Sequence, residues 1–197
     1  MGNKYDSKYN FHAQSLVDSN IWDEFGFIEK TKNKWDFEID KTGDISSYQN
    51  LEYYYKKYNG VDSLIGDCKV PFPPFSENKR NLSAVQLIYG LLFPRVGGNF
   101  IIKTHSINYD IQFLSLLYTC CAKFDKVYIV KASRNIWSSE MYVVGINKKK
   151  LDNDEISNLF SIEKSMLTEN IKYPVNHIID SFFSDIIILL VLLLIFM

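Results

Sequence analysis

The sequence predicts an α/β fold built on a mostly parallel sheet with one antiparallel strand at its edge. Three observations lead there. Short apolar runs bounded by turn residues alternate with helix-length stretches. Three of those runs carry a single charge at one end, namely Asp67, Lys103 and Glu140. The link between the last two runs, Ala132 to Ser139, is too short for a parallel crossover, so the final strand must return antiparallel. In open α/β sheets, strands that end on charged residues line a crevice at their carboxyl ends.

Each element has its own signal. Residues 1–40 are polar and aromatic without sustained periodicity, and read as irregular covering structure with short helices. His12 stands there without a carboxylate or cysteine at ligand spacing, as a packing or surface histidine does. Thr42-Gly43-Asp44-Ile45 forms a turn, and Gln49 to Tyr58 a helix closed by Asn59-Gly60. Val61 to Gly66 is a strand that stops on Asp67, and Pro71-Phe72-Pro73-Pro74-Phe75 is an irregular loop because proline removes donors and restricts its neighbours.

From Asn78 to Phe93 the apolar residues fall on a helical face, with Ser76 or Asn78 placed to cap it. Gly97-Gly98 then turns the chain into a short strand, Asn99 to Ile102, that delivers Lys103 to its carboxyl end. A lysine in that position either serves a site or carries its charge out to solvent along an apolar stem. A helix over Ile111 to Phe124, a strand over Lys126 to Lys131 and a strand opened by Glu140 and running to Ile146 complete the alternation. Residues 151–185 form a helical extension. The tail, Ile186 to Met197, is wholly apolar but shorter than the roughly 20 residues of a membrane-spanning helix. A buried strand or helix, a marginal membrane anchor and a frameshifted end are all compatible with it.

Composition narrows the function classes. At 197 residues the chain has the length of one domain with a real core. A formal charge of -1 excludes bulk basic character as a source of nucleic-acid affinity, though not a local patch. Cys68, Cys120 and Cys121 are odd in number and lack metal or redox spacing, which fits a reducing compartment. The N-terminus has no signal-peptide pattern, and Asp6 stands where N-myristoylation requires Ser or Thr. The expected location is therefore the cytoplasm, or a host cytoplasm or virion for a viral chain, with the tail the one argument for a membrane.

Taken in order, Thr42-Gly43-Asp44-Ile45, Val61 to Asp67, the helix bearing Gln86, Gly97-Gly98-Asn99-Phe100-Ile101-Ile102-Lys103, Lys131-Ala132-Ser133-Arg134 and Ser138-Ser139-Glu140-Met141-Tyr142-Val143-Val144 resemble the FtsJ-type ribose 2′-O-methyltransferases. The resemblance is to their viral and cap-modifying branch in particular, and runs from about Phe11 to Lys148. It implies a Rossmann-like methyltransferase sheet over residues 41–150, incomplete at its N-terminus, and S-adenosylmethionine as cofactor.

The family carries a Lys-Asp-Lys-Glu tetrad, and the resemblance implies that Asp67, Lys103 and Glu140 occupy its last three positions. Lys103 would then take the proton of an attacking ribose hydroxyl. A lysine ordinarily titrates near 10.4, so that role needs desolvation or a neighbouring cation. Asp67 and Glu140 would orient the ammonium. Asp67 would also lie beside the methyl donor and Asp44 beside its adenine. Arg134, Ser138 and Ser139 would contact RNA phosphate, to which guanidinium and hydroxyl groups are suited.

The sequence departs from the family in three ways. The family's first tetrad lysine and Gly-rich cofactor loop lie well upstream of the aspartate, where this sequence begins too late to hold them and has no Gly-x-Gly pattern anywhere; Ala132 stands in place of the usual proline; and His105 follows where an apolar or aromatic residue is commoner. The expectation is a methyltransferase fragment acting on RNA, capped mRNA included, with a second chain supplying the cofactor loop. The alternative is a catalytically inactive RNA-binding or subunit-docking remnant of the same fold.

Overall fold

The computed structural model describes residues 12–13, 27–37, 41–68, 82–105, 111–131 and 140–166, all within one compact unit, Met1–Leu167. The proline loop, the capping residues before Leu82, the Arg134–Ser139 segment and the apolar tail lie outside the described residues.

Helices α1 (Phe27–Lys30) and α2 (Tyr48–Tyr58) precede strand β1 (Val61–Gly66). Then come α3 (Leu82–Leu92), β2 (Pro94–His105), α4 (Ile111–Lys123), β3 (Phe124–Val130), β4 (Glu140–Lys148) and α5 (Asn153–Met166). The fold is α/β. Its sheet has the order β1-β2-β4-β3, with β1 parallel to β2 and β4 antiparallel to both β2 and β3. β1, β2 and β3 therefore run the same way, as in a Rossmann-like sheet, and β4 is the one reversed strand.

The position of that strand corrects the expectation of an antiparallel edge. β4 lies inside the sheet, and β3 is the outer strand. The cause is steric and hydrophobic. Val143 and Gly145 of β4 are buried beside β2, where the Phe100 ring occupies the space that a Gly145 side chain would fill. β3 instead exposes Tyr128, Ile129 and Val130.

A second correction concerns the glycine pair, which lies within β2 rather than in a turn before it. Gly97 has φ 81, and the β1–β2 register slips between Val61 and Ser63, so the pair forms an irregularity in a strand already begun at Pro94. Gly98 is needed for close approach, because a Cβ there would come within 2.9 Å of the Arg95 carbonyl and 3.0 Å of the Asp62 carbonyl. β2 also continues past Lys103 to His105. Lys103 nonetheless reaches a boundary, since the last β1 residue, Gly66, pairs with Ile102.

The core sits on one face of the sheet. α3 is buried on all sides from Ser83 to Leu92, and Gly90 presses against Ile102 and Phe100. α4 packs beside α3 through Phe113, Leu116, Leu117 and Cys120, while α5 lies against α2 and α3. The N-terminal segment is tied to α2 by Asp36. Its carboxylate accepts from the Tyr58 hydroxyl at 2.7 Å and from Lys57 Nζ at 2.8 Å.

The other face carries an apolar row made by register alone. Ile65 pairs with Ile101, Ile101 with Val144, and Val144 with Tyr128. Ile65 is 77% exposed and Tyr128 49%.

Candidate functional site

β1 ends at Gly66, so Asp67 leaves the sheet beside Lys103 of the parallel neighbour, and the two form an ion pair. The Lys103 side chain is only 12% exposed while that of Asp67 is 64% exposed, so the ammonium is held under a carboxylate that faces solvent. Across the antiparallel ladder, Lys103 stands directly opposite Tyr142 and His105 opposite Glu140. Side chains alternate along a strand, so Glu140, Tyr142 and Lys103 share a face. The Tyr142 hydroxyl donates to Glu140 Oε1 at 2.8 Å. That hydrogen bond, then burial and the charges of Glu140 and Asp67, push the Tyr142 phenol up from its ordinary value.

The carboxyl ends of β1 and β2 and the start of β4 thus bring Asp67, Lys103 and Glu140 to one edge of the sheet. Asp44 belongs to the same neighbourhood. Burial pushes the Cys68 thiol up to about 11, the Lys103 charge opposes this, and the charges of Asp67 and Asp44 add to it. The Asp44 turn is held by its own residues: Oδ1 accepts from the Ser46 amide at 2.9 Å and the Ser46 hydroxyl at 2.6 Å. Asn50 Nδ2 donates to the Asp44 carbonyl and the Tyr89 hydroxyl to the Ile45 carbonyl, which fixes the turn to α2 and α3. Arg134, Ser138 and Ser139 lie outside the described residues. His12 lies against the Tyr58 ring of α2, with centroids 4.8 Å apart and planes tilted by 37°.

Two residues join the site that strand-end charges do not reveal. Tyr142 could have been found from the period of two that starts at Glu140. Gln86 gives a fainter signal, a carboxamide in an otherwise apolar helix. Its side chain is 2% exposed, its Oε1 accepts from the Cys68 amide at 3.3 Å, and its Nε2 donates to the Lys103 carbonyl at 3.4 Å.

The carboxylates of Asp44 and Asp67 suit the hydroxyl and amino groups of an adenosine. The charged methionine end of S-adenosylmethionine needs a cradle of backbone amides. The Gly97-Gly98 pair does not supply one, because it lies in the half of β2 away from Lys103 and is closed over by the Arg95 and Asp62 carbonyls. Among the described residues, Asp44 Oδ1 is taken by Ser46 and Asp67 by Lys103, and the glycine pair offers no amide cradle. Among the described residues as a whole, no group of three or more His, Cys, Asp or Glu is placed to hold a metal ion.

No protein-family model matches the chain, and no curated protein matches it in sequence. Among solved structures it is similar to human methyltransferase-like protein 13 in complex with SAH, at 13% identity and a TM-score of 0.34. That match covers 76% of this chain and 65% of the other, so the chain spans about two thirds of that protein's length. A likeness of that size carries no inference about activity. The α/β class rests on the strand order and directions, and the chemistry on the residues at the sheet edge.

Proposed function

We propose that this chain carries the catalytic edge of an S-adenosylmethionine-dependent RNA ribose 2′-O-methyltransferase, acting on a cap-proximal or internal nucleotide. The observation that carries this reading is the meeting of Asp67, Lys103 and Glu140 at the carboxyl end of a parallel strand pair. Lys103, in its unprotonated amine form, takes the proton of the attacking ribose hydroxyl and thereby becomes the ammonium. Asp67 aims the ammonium, and Tyr142 holds the Glu140 carboxylate on the same face. Asp44 belongs to the adenosine side, and Arg134, Ser138 and Ser139 to the RNA phosphates.

The amide cradle comes, in this reading, from a second polypeptide. The row Ile65–Ile101–Val144–Tyr128, exposed except at half-buried Val144, favours this, since parallel strands are ordinarily covered on both faces and this row runs directly into the polar edge. The same row favours the second reading, a catalytically silent subunit that keeps only the docking surface.

The test is methyl transfer from labelled S-adenosylmethionine to capped and uncapped RNA, using the tagged chain isolated from its own cells with whatever it holds. Lys103→Ala should reduce ribose methylation by about 100-fold or more, the scale of a lost general base. Ribose methylation equal in wild type and Lys103→Ala would overturn the assignment. A wild-type complex that binds RNA without methylating it would establish the silent subunit instead.

A further inference from the structure

α3 is so deeply buried that apolar residues would be expected at every position, yet it places Ser83 and Gln86 against the sheet. Burying a carboxamide is costly unless its groups are paired. Both polar side chains point to the same place. Ser83 Oγ accepts from the Thr104 hydroxyl at 3.2 Å, and Gln86, one helical turn on, reaches the next residue back along β2. Gln86 spans the point where the β1–β2 ladder ends. One end of its amide takes the Cys68 N–H, just beyond Asp67, and the other gives a hydrogen to the Lys103 carbonyl.

This bridge depends on Gly66. A Cβ at Gly66 would come within 2.7 Å of Gln86 Oε1 and 3.3 Å of the Ile102 side chain. Any other residue at the end of β1 would push the carboxamide away from the two backbones that it joins. Gly66 and Gln86 are thus matched, and the two residues whose backbones they secure flank or carry the ion pair.

We propose that Gln86 is the positioning residue of the Asp67–Lys103 pair, its carboxamide extending the parallel ladder by one link so that carboxylate and ammonium leave the sheet in fixed register. This rests on, and deepens, the reading of that pair as a ribose methylation site. Gln86 touches neither substrate nor cofactor and acts only through the two strand ends.

The chain supplies its own reporters. Cys68 is half-buried beside the bridge, and the Lys103 side chain is 12% exposed. In the ligand-free chain, alkylation of Cys68 by iodoacetamide and reductive methylation of Lys103 are read peptide by peptide by mass spectrometry. Gln86→Leu and Gly66→Ala should each accelerate both reactions roughly tenfold, with urea unfolding confirming that the chains remain folded. Ser83→Ala, on the same helix face, should leave both rates unchanged. In the active complex, Gln86→Leu should lower kcat while the KM for RNA stays as in wild type.

Unchanged Cys68 and Lys103 rates in both bridge variants would overturn the proposal, as would an equal acceleration in Ser83→Ala. The labelling arm needs neither RNA nor S-adenosylmethionine. Absence of methyl transfer by the wild type would therefore sink the functional reading while leaving the bridge itself established by its labelling result.

Discussion

The Lys148 ammonium is buried, 6% exposed, and donates to the Leu92 carbonyl at 3.0 Å and the Pro94 carbonyl at 2.7 Å. Leu92 is the last residue of α3, so the charge sits on the negative end of that helix. Lys103 meets a carboxylate at the other end of the sheet; Lys148 meets the two carbonyls, with no ion pair among the described residues, and burial pushes it down to about 8 from 10.5. Below pH 8 both folded and unfolded chains hold the proton, and the fold bears the desolvation of the charge. Between 8 and 10.5 the unfolded chain holds a proton at this residue that the folded chain has shed, so the Lys148 contribution to stability rises with pH, against the opposite contribution of the buried thiols, whose titration is pushed up. In urea unfolding from pH 7.5 to 10, the stability of wild type relative to Lys148→Met should rise by on the order of 1–3 kcal/mol, the thiols being common to both. Parallel pH profiles for the two proteins would refute the assignment, whatever their absolute stabilities.

At the scale of elements, the pairing of β4 with β2 is packed closely around one glycine. A Cβ on Gly145 would run into the Phe100 ring, whose other side stacks edge-on to Phe124 at 4.9 Å. Gly145→Ala should therefore cost about 1–3 kcal/mol by overpacking, and Gly145→Ala with Phe100→Leu should recover part of it. A destabilisation that Phe100→Leu does not relieve would mean that the glycine serves the backbone instead. This pairing explains what the sequence could and could not disclose. Helix α2 closed by Asn59-Gly60, strand β1 before Asp67, helix α4 and the Glu140 start of β4 all follow from local periodicity and turn residues. Insertion of β4 between β2 and β3 depends on a contact between residues 45 positions apart, Phe100 and Gly145, which no local pattern encodes. The glycine pair was misleading for the same reason, since only the partner strand shows that β2 had already begun at Pro94. In the candidate site, the nearness of Asp67 to Lys103 is legible from the order of the strands, whereas the continuation of β2 past Lys103 to His105 is not. The Gln86 bridge is not legible either, because a polar residue in a mostly apolar helix carries no sign of what it will meet.

At the scale of the whole molecule, the two faces of one sheet make opposite demands. Ile101 and Ile102 are neighbours in β2, yet Ile102 is fully buried against Gly90 while Ile101 is 40% exposed next to the more exposed Ile65. Ile102→Ala should cost roughly 2–5 kcal/mol, because the closely packed α3 cannot collapse into the space. The double variant Ile65→Thr with Ile101→Thr keeps β-branched side chains in the strands and should change the stability of the isolated chain by less than about 1 kcal/mol. If a second polypeptide covers this face, the same double variant should abolish ribose methylation by the isolated complex while Lys103 and Asp67 remain in place. Loss of activity with unchanged stability would mark the row as an interface required by the catalytic edge. A double variant as destabilising as Ile102→Ala would show that the row is already part of the chain's own core, and full activity with unchanged stability would remove the second polypeptide from the proposal.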